Sequence, residues 1–207
     1  MAGVLFALMF GTALVLVRLA FPGSIADRAG WQPTRLPLAT IALHLLAYGG
    51  IAFLWFMGVV RTHLGQREDR FLGTVFIGSG FLFLGMSFVA GAVTSALLGT
   101  MAPAAGQLLD GSGFALGSRI AFELVNVYAM RMAAVFMISL ATLCLRTGAM
   151  PRSFVLATYA LALVLLLSIG FSLWAALVFP LWVLGFSLYL LWNGLGDADT
   201  PAPSLAP

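Results

Sequence analysis

Residues 118–146 read SRIAFELVNVYAMRMAAVFMISLATLCLR, and this stretch decides the fold of the chain. Its second half is almost entirely apolar, and about 20 apolar residues in a helix are enough to cross the hydrocarbon core of a bilayer. Its first half carries Arg119, Glu123, Asn126 and Arg131, several strongly polar side chains close together. The stretch therefore predicts a transmembrane helix that also holds the best candidate for a polar site.

The overall composition agrees with a membrane environment. Of the 207 residues, 62% are hydrophobic and only 8% are charged. A soluble domain has about a quarter of its residues charged, so this chain lacks the polar groups needed to cover a surface in water. Because backbone groups inside a bilayer must pair within their own segment, helices are favoured. We predict an all-α integral membrane bundle.

Turn-forming and charged segments on either side of 118–146 divide the chain into six predicted transmembrane helices. They cover residues 3–21, 36–60, 71–100, 118–146, 153–168 and 171–192. The last two come from one apolar run that we divide at Ser168, Gly170 and Ser172, and a re-entrant or tilted pair is the alternative. Residues 1–192 thus form a single six-helix transmembrane domain. The Gly-, Asp- and Pro-rich segment 193–207 is predicted to be a disordered cytoplasmic tail.

The distribution of arginine predicts the orientation of these helices. With six spans, both termini and the second and fourth loops lie on one side of the membrane. That side holds Arg61, Arg67, Arg70, Arg146 and Arg152. The other side holds Arg28 and Arg35, with Arg18 and Arg119 at helix ends. Since basic loops stay in the cytoplasm, we expect both termini of this multi-pass plasma-membrane protein to be cytoplasmic.

The polar side chains of the second and fourth predicted helices form the candidate ligand-binding site. At 100° per residue, Arg119, Glu123 and Asn126 share one narrow stripe. His44 lies in the outer half of the second predicted helix, and Tyr48 follows one turn further on. Glu123 and Asn126 lie in the outer half of the fourth. We predict a small polar pocket that opens to the outer face and is lined by His44, Tyr48, Glu123, Asn126 and Arg131.

Simpler interpretations of the same residues remain open. The stripe can be an interfacial ion-pair cluster that orients its helix, and His44 can be a histidine hydrogen-bonded between helices. Arg131 lies about 12 Å beyond Glu123 along the axis, on another face, so these two are not expected to pair. Arg131 then needs another partner, or it extends toward a lipid phosphate.

The sequence predicts no cofactor, no metal and no catalytic activity. All ten basic residues are arginine, which excludes Schiff-base chemistry on a lysine. His44 and His63 are roughly 28 Å apart along one helix, too far to share one haem. Cys144 is the single cysteine, and we interpret it as a small core residue. The chain has no basic stripe, so nucleic acid is not an expected partner.

Small residues and one proline indicate how the helices pack. Gly91, Ser95 and Gly99 follow each other at intervals of four on the third helix, a spacing that lets helices approach closely in lipid. Contacts within the chain are the default interpretation, and a subunit interface is the alternative. Pro180 removes a backbone donor midway along the sixth predicted helix, which predicts a kink near Ala176.

The segment 146–152, RTGAMPR, followed by the aliphatic run 159–167, resembles a feature of uncharacterised bacterial multi-pass membrane proteins. In those families one helix ends in a basic turn with Pro-Arg and the next helix begins. The resemblance covers about a quarter of the chain. It implies a bacterial integral membrane protein of unknown function and assigns no site residue.

Two classes of function follow from these observations. The first is a non-catalytic structural or accessory subunit of a membrane complex, with membrane lipids and either other membrane subunits or further copies of itself as partners. The second is a small transporter or channel that uses the polar site on the second and fourth helices. A membrane enzyme or redox subunit ranks third, because the chain contains no P-loop, GxSxG or paired-aspartate motif.

Overall fold

The computed structural model describes residues 1–20, 35–64, 70–100, 111–167 and 173–196, and the elements in these ranges are helical. In chain order they are α1 (Ala2–Ala20), α2 (Leu36–Leu64), α3 (Arg70–Gly99), α4 (Gly111–Glu123), a π-helical segment (Leu124–Ala129), α5 (Met130–Thr147), α6 (Arg152–Leu167), a 3₁₀ segment (Leu173–Leu177) and α7 (Val178–Gly196).

The prediction of an all-α integral membrane bundle is confirmed. Within the described residues, five helices are long and apolar enough to cross a membrane, among them the continuous helix Ser112–Thr147, which joins α4, the π segment and α5. The fifth predicted helix, α6, has 16 residues and is shorter, about 24 Å long. The protein is therefore a multi-pass membrane protein.

Several helix ends differ from the predicted ones. The fourth predicted helix begins at Gly111 rather than at residue 118, so α4 takes up part of the segment that we expected to be loop. The last helix continues to Gly196, four residues past Trp192. The rest of the predicted disordered tail, residues 197–207, lies outside the described residues, as does the predicted turn at 168–172.

The helices form a closed ring in chain order. Along the ring, α1 packs against α2, α2 against α3, and α3 against the 111–147 helix. The α5 part of that helix packs against α6, α6 against α7, and α7 against α1. In lipid, the hydrophobic effect does not drive helices together, so close side-chain packing has to hold such a ring. Its interior is therefore the part of the fold most sensitive to side-chain shape.

Phenyl rings from five helices fill the middle of this ring. Phe53 of α2 is completely buried, and its ring centroid lies 4.7 to 5.7 Å from those of four phenylalanines on α1, α3, α5 and α7. These four are Phe6, Phe83, Phe136 and Phe179. Tilted and edge-to-face contacts at such distances are the favourable geometry for aromatic pairs. The axis of the bundle is thus occupied by side chains at this level.

Large side chains opposite glycines hold α2 against α3. A Cβ atom added to Gly50 would overlap the ring of Phe88, and one added to Gly80 would overlap the sulfur of Met57. A Cβ atom at Gly91 would lie 2.8 Å from Leu46 Cδ2. Because low numbers on α2 meet high numbers on α3, the two helices are antiparallel.

Two hydrogen bonds between side chains fix the short helix α6. The hydroxyl groups of Thr142 on α5 and Tyr159 on α6 are 2.9 Å apart. The indole nitrogen of Trp182 on α7 donates to the hydroxyl of Thr158, also at 2.9 Å. Hydrogen bonds between helices in lipid contribute about 0.6 kcal/mol each on average. They attach α6 to both of its neighbours in the ring.

The turn between α5 and α6 follows the predicted stop and restart. Gly148 ends α5 in the left-handed conformation, with φ of 69°, and its N–H donates to the carbonyl of Cys144. Glycine adopts this conformation without the steric cost of a Cβ atom. Pro151 then precedes α6, and its carbonyl accepts hydrogen bonds from the N–H groups of Phe154 and Val155.

Pro180 does not lie midway along a helix as predicted. The segment Leu173–Leu177 is 3₁₀-helical, and α7 begins only at Val178, so Pro180 is the third residue of α7. In the first turn of an α-helix the N–H groups have no partner within the helix, and a proline there removes little. Near Ala176, where a kink was expected, the backbone is 3₁₀-helical and changes to α geometry at Val178.

The buried phenyl cluster should dominate stability. We expect Phe53→Ala to lower the free energy of unfolding by about 3–5 kcal/mol, because the truncated side chain leaves a cavity among four other rings. The matched control is Trp55→Ala on the same helix, where the side chain is 71% exposed and the change should stay within about 0.5 kcal/mol. Unfolding of the purified protein in a denaturing-detergent titration measures both. Equal losses for the two variants would contradict this assignment of the core.

Candidate functional site

The helix 111–147 changes its winding in the middle of the predicted polar stripe. Leu124–Ala129 form a π-helical segment, and the N–H of Met130 donates to the carbonyl of Val125, five residues back. The side-chain amide of Asn126 donates to the carbonyl of Phe122 at 3.0 Å, where the ladder changes register. Single π turns are rare in proteins, but those that occur often lie at functional sites.

This change separates the four polar residues of the stretch. Arg119 and Glu123 lie before the π segment, with Arg119 exposed and Glu123 half-buried. Arg131, also half-buried, lies after it. The extra residue in the π turn alters the rotation between the two parts, so the 100° rule does not extend across it. Within the part of the chain that the structure describes, the side chains of Arg119, Glu123 and Arg131 have no hydrogen-bond or ion-pair partner.

His44 and Tyr48 lie on the outer surface of α2. Both are exposed, and His44 Nδ1 lies 2.8 Å from the carbonyl oxygen of Thr40. Since a carbonyl only accepts, Nδ1 carries the proton and Nε2 is left free. His44 borders a shallow groove between α2 and α3 that also contains Gly91 and Ser95.

Asn126 lines a different space, a partly enclosed cavity of about 80 Å³ between α1, α2, α3 and the π segment. Its lining is apolar apart from four side chains: Arg18, Ser87, Thr94 and Asn126. Leu43, Leu46 and Gly91 border both this cavity and the groove of His44. Five residues were predicted to line one pocket. Of these five, only Asn126 lines the cavity and only His44 lines the groove.

The predicted packing line on α3 is also divided. Gly91 faces Leu46 of α2, whereas Ser95 and Gly99 are exposed and no atom lies within 4 Å of a Cβ added to Gly99. The line therefore begins at a contact inside the bundle and ends on its surface.

Three of the four polar cavity residues were absent from the predicted site. Arg18 is the lone charge in the last turn of the first apolar helix, and Ser87 and Thr94 are seven residues apart on α3. Because residues seven apart lie on one face of a helix, this spacing was the sequence signal that could have placed both hydroxyls in one site. The hydroxyls donate to Phe83 and Ala90 carbonyls at 2.8 Å each, so toward the cavity they can only accept.

The polar groups that line the cavity are two hydroxyls, an amide and a guanidinium. The residues that line the cavity include no Asp, Glu, His or Cys, and therefore no nucleophile paired with a base. Among the described residues, no three of His, Cys, Asp and Glu lie together as a metal site would require. Cys144 is buried in the bundle core, and the side chain of His63 lies outside the described residues.

Comparison of the chain with protein-family models, with curated proteins and with solved structures finds no match.

The π turn gives a testable role to Asn126. We expect Asn126→Ala to lower the free energy of unfolding by about 0.5–1.5 kcal/mol, because the variant loses a hydrogen bond at the point where the backbone ladder changes register. Thr40→Ala is the control: its hydroxyl also donates to a carbonyl four residues back, at 3.1 Å, but on a regular exposed turn of α2. The same unfolding titration compares them. If Thr40→Ala lowers the free energy of unfolding as much as Asn126→Ala does, the hydrogen bond at the π turn is no more stabilising than one on a regular helical turn.

Proposed function

We propose that the chain is a non-catalytic accessory subunit of a membrane complex, in a bacterial plasma membrane and with both termini in the cytoplasm. The observation that carries the proposal is the outer face of α3. Gly78, Gly85 and Gly99 are exposed there, and no atom of the described residues lies within 4 Å of a Cβ atom added to any of them. Exposed Ala92 completes a line of four small residues at intervals of seven.

The shape of this face supports a helix as its partner. Residues seven apart lie on nearly the same side of a helix, so the four small residues form one line along α3. Large exposed side chains stand on both sides of the line: Phe81 and Phe88 on one side, Leu82 and Val89 on the other. Small residues between larger ones let the backbone of a second helix approach closely, which is how helices associate in lipid.

The filled axis of the ring also favours a subunit over a channel. Phenyl rings occupy the centre of the bundle, and a channel for ions or polar solutes needs polar groups or water along its path. The basic loops described above support the cytoplasmic position of both termini. The basic Pro-Arg turn, with its resemblance to bacterial multi-pass membrane proteins, supports the bacterial membrane.

Association through α3 can be tested with one exposed glycine. We expect the wild-type protein, purified in mild detergent from native membranes, to carry a stoichiometric membrane subunit or a second copy of itself. Gly85→Leu should lower the amount of that partner at least fivefold, because the leucine holds the two backbones apart. The control is Gly58→Leu on α2, which is also exposed, with no atom within 4 Å of an added Cβ. Light scattering and quantification of co-purified chains measure the result.

Two outcomes would count against the subunit proposal. One is a wild-type protein that is monomeric and free of partners. The other is an equal loss of partner in the α2 and α3 variants, which would mean that association does not use the outer face of α3.

A small transporter or channel that uses polar residues of the second and fourth predicted helices is the second candidate. The π turn at Asn126 favours it, since such turns are frequent at functional sites. If the subunit proposal is correct, vesicles containing the protein and an entrapped pH dye should show no proton flux above protein-free vesicles. A flux that Glu123→Gln abolishes and Ser153→Ala leaves intact would favour the transporter instead.

A further inference from the structure

Arg18 is the one charged side chain among the residues that line the 80 Å³ cavity. It is partly exposed, and within the described part of the chain its guanidinium group makes no hydrogen bond or ion pair. An unpaired guanidinium beside an apolar space is unfavourable unless an anion or water accepts its five N–H donors. The cavity therefore has one end that suits an anion.

The depth of Arg18 in the membrane indicates which anion. The helix α1 has 19 residues and is about 28 Å long, close to the thickness of the hydrocarbon core. Arg18 lies in the last turn of α1, and therefore near the level of the lipid headgroups. Arg35 at the start of α2 donates from Nη1 to the carbonyl of Leu19 at 3.0 Å, which brings a second guanidinium group to the same end of α1. Lipid phosphates lie at this level.

The rest of the cavity suits a hydrocarbon chain. On α1 its lining runs from Phe10 to Arg18, a length of about 12 Å. Because the hydroxyls of Ser87 and Thr94 already donate to their own helix, they offer no free donor to a polar solute. A volume of about 80 Å³ has room for several groups the size of a water molecule or a methylene. Apart from these two hydroxyls and the amide of Asn126, the space is lined by apolar side chains, and Arg18 gives one end a positive charge.

We propose that this cavity binds one anionic phospholipid of the surrounding membrane, with the phosphate at Arg18 and part of one acyl chain among the apolar side chains between α1, α2 and α3. The site lies inside the bundle, away from the outer face of α3, so it goes beyond the proposed role as a subunit. The bound lipid supplies the negative charge that no described residue provides to Arg18, and it fills the space beside Asn126.

The headgroup contact is tested by titrating the full-length protein in detergent with phosphatidylglycerol and counting bound lipids by native mass spectrometry. The wild type should bind one phosphatidylglycerol about tenfold more tightly than phosphatidylcholine with the same chains. Arg18→Gln should lose this preference, because charge-assisted hydrogen bonds to the phosphate are lost. Arg152→Gln, at an exposed residue at the start of α6, should retain it. Equal affinity for the two lipids, or an unchanged preference in Arg18→Gln, overturns the proposal.

The chain contact is tested separately. Ala90→Leu places a larger side chain in the cavity and should weaken phosphatidylglycerol binding about tenfold, whereas Ala157→Leu, at an exposed position of α6, should not. Inorganic phosphate in millimolar excess should not compete, because it lacks the chain; this measurement uses the wild type and needs no folded variant. Competition by phosphate, or full binding by a folded Ala90→Leu protein, overturns the proposal.

Discussion

The contacts of Phe53 with phenyl rings on four other helices are the interaction on which the rest of this bundle depends. In water, such a core would form because apolar surface leaves the solvent; in a bilayer the lipid chains are as apolar as the core. What distinguishes the packed state there is the fit of rigid side chains, whose dispersion contacts are individually small and collectively large. Because the ring contains helices from both ends of the chain, this one cluster brings α1 and α7 together.

The cavity lies where this cluster ends. On α3, Phe76 and Phe83 point into the core, but the next inward positions are Ser87, Ala90 and Thr94, which are all small. On α1 the aromatic pair Phe6 and Phe10 likewise gives way to Ala13. Large residues thus fill one half of the bundle axis, and small residues leave space in the other. The open space follows from the choice of side chains along otherwise regular helices.

Much of the fold could be predicted because apolar length and turn residues act locally. The apolar runs defined the helices, and the segment with Gly148 and Pro151 is a turn between two helices, as its residue types indicate. Helix ends were less predictable, since α4 begins in the Gly- and Ala-rich segment at Gly111, where composition favoured a loop. The 3₁₀ segment before Pro180 packs against α1, a contact that a local sequence pattern does not contain.

The candidate site could be predicted only in part, for a geometric reason. The polar stripe was built on a constant rotation of 100° per residue, and the π segment Leu124–Ala129 breaks that rule in the middle of the stripe. A π turn leaves little trace in the residue types, because its stability comes from the helices around it. Arg18 was visible as a lone charge, but its position beside Asn126 depends on how α1 and the 111–147 helix pack in the ring.

The two faces of α3 explain how a partner and a lipid could be bound at once. Ser87, Ala90 and Thr94 face the cavity, whereas Gly85, Ala92 and Gly99 face outward. Residues two apart on a helix are about 200° apart in rotation, so Gly85 and Ser87, or Ala92 and Thr94, point in nearly opposite directions. A helix docked on the outer face would leave the cavity unobstructed. Phe88, beside the outer line, packs on Gly50 of α2, and neither residue lines the cavity. Contact at the outer face and occupancy of the cavity are therefore separate events that share one rigid helix.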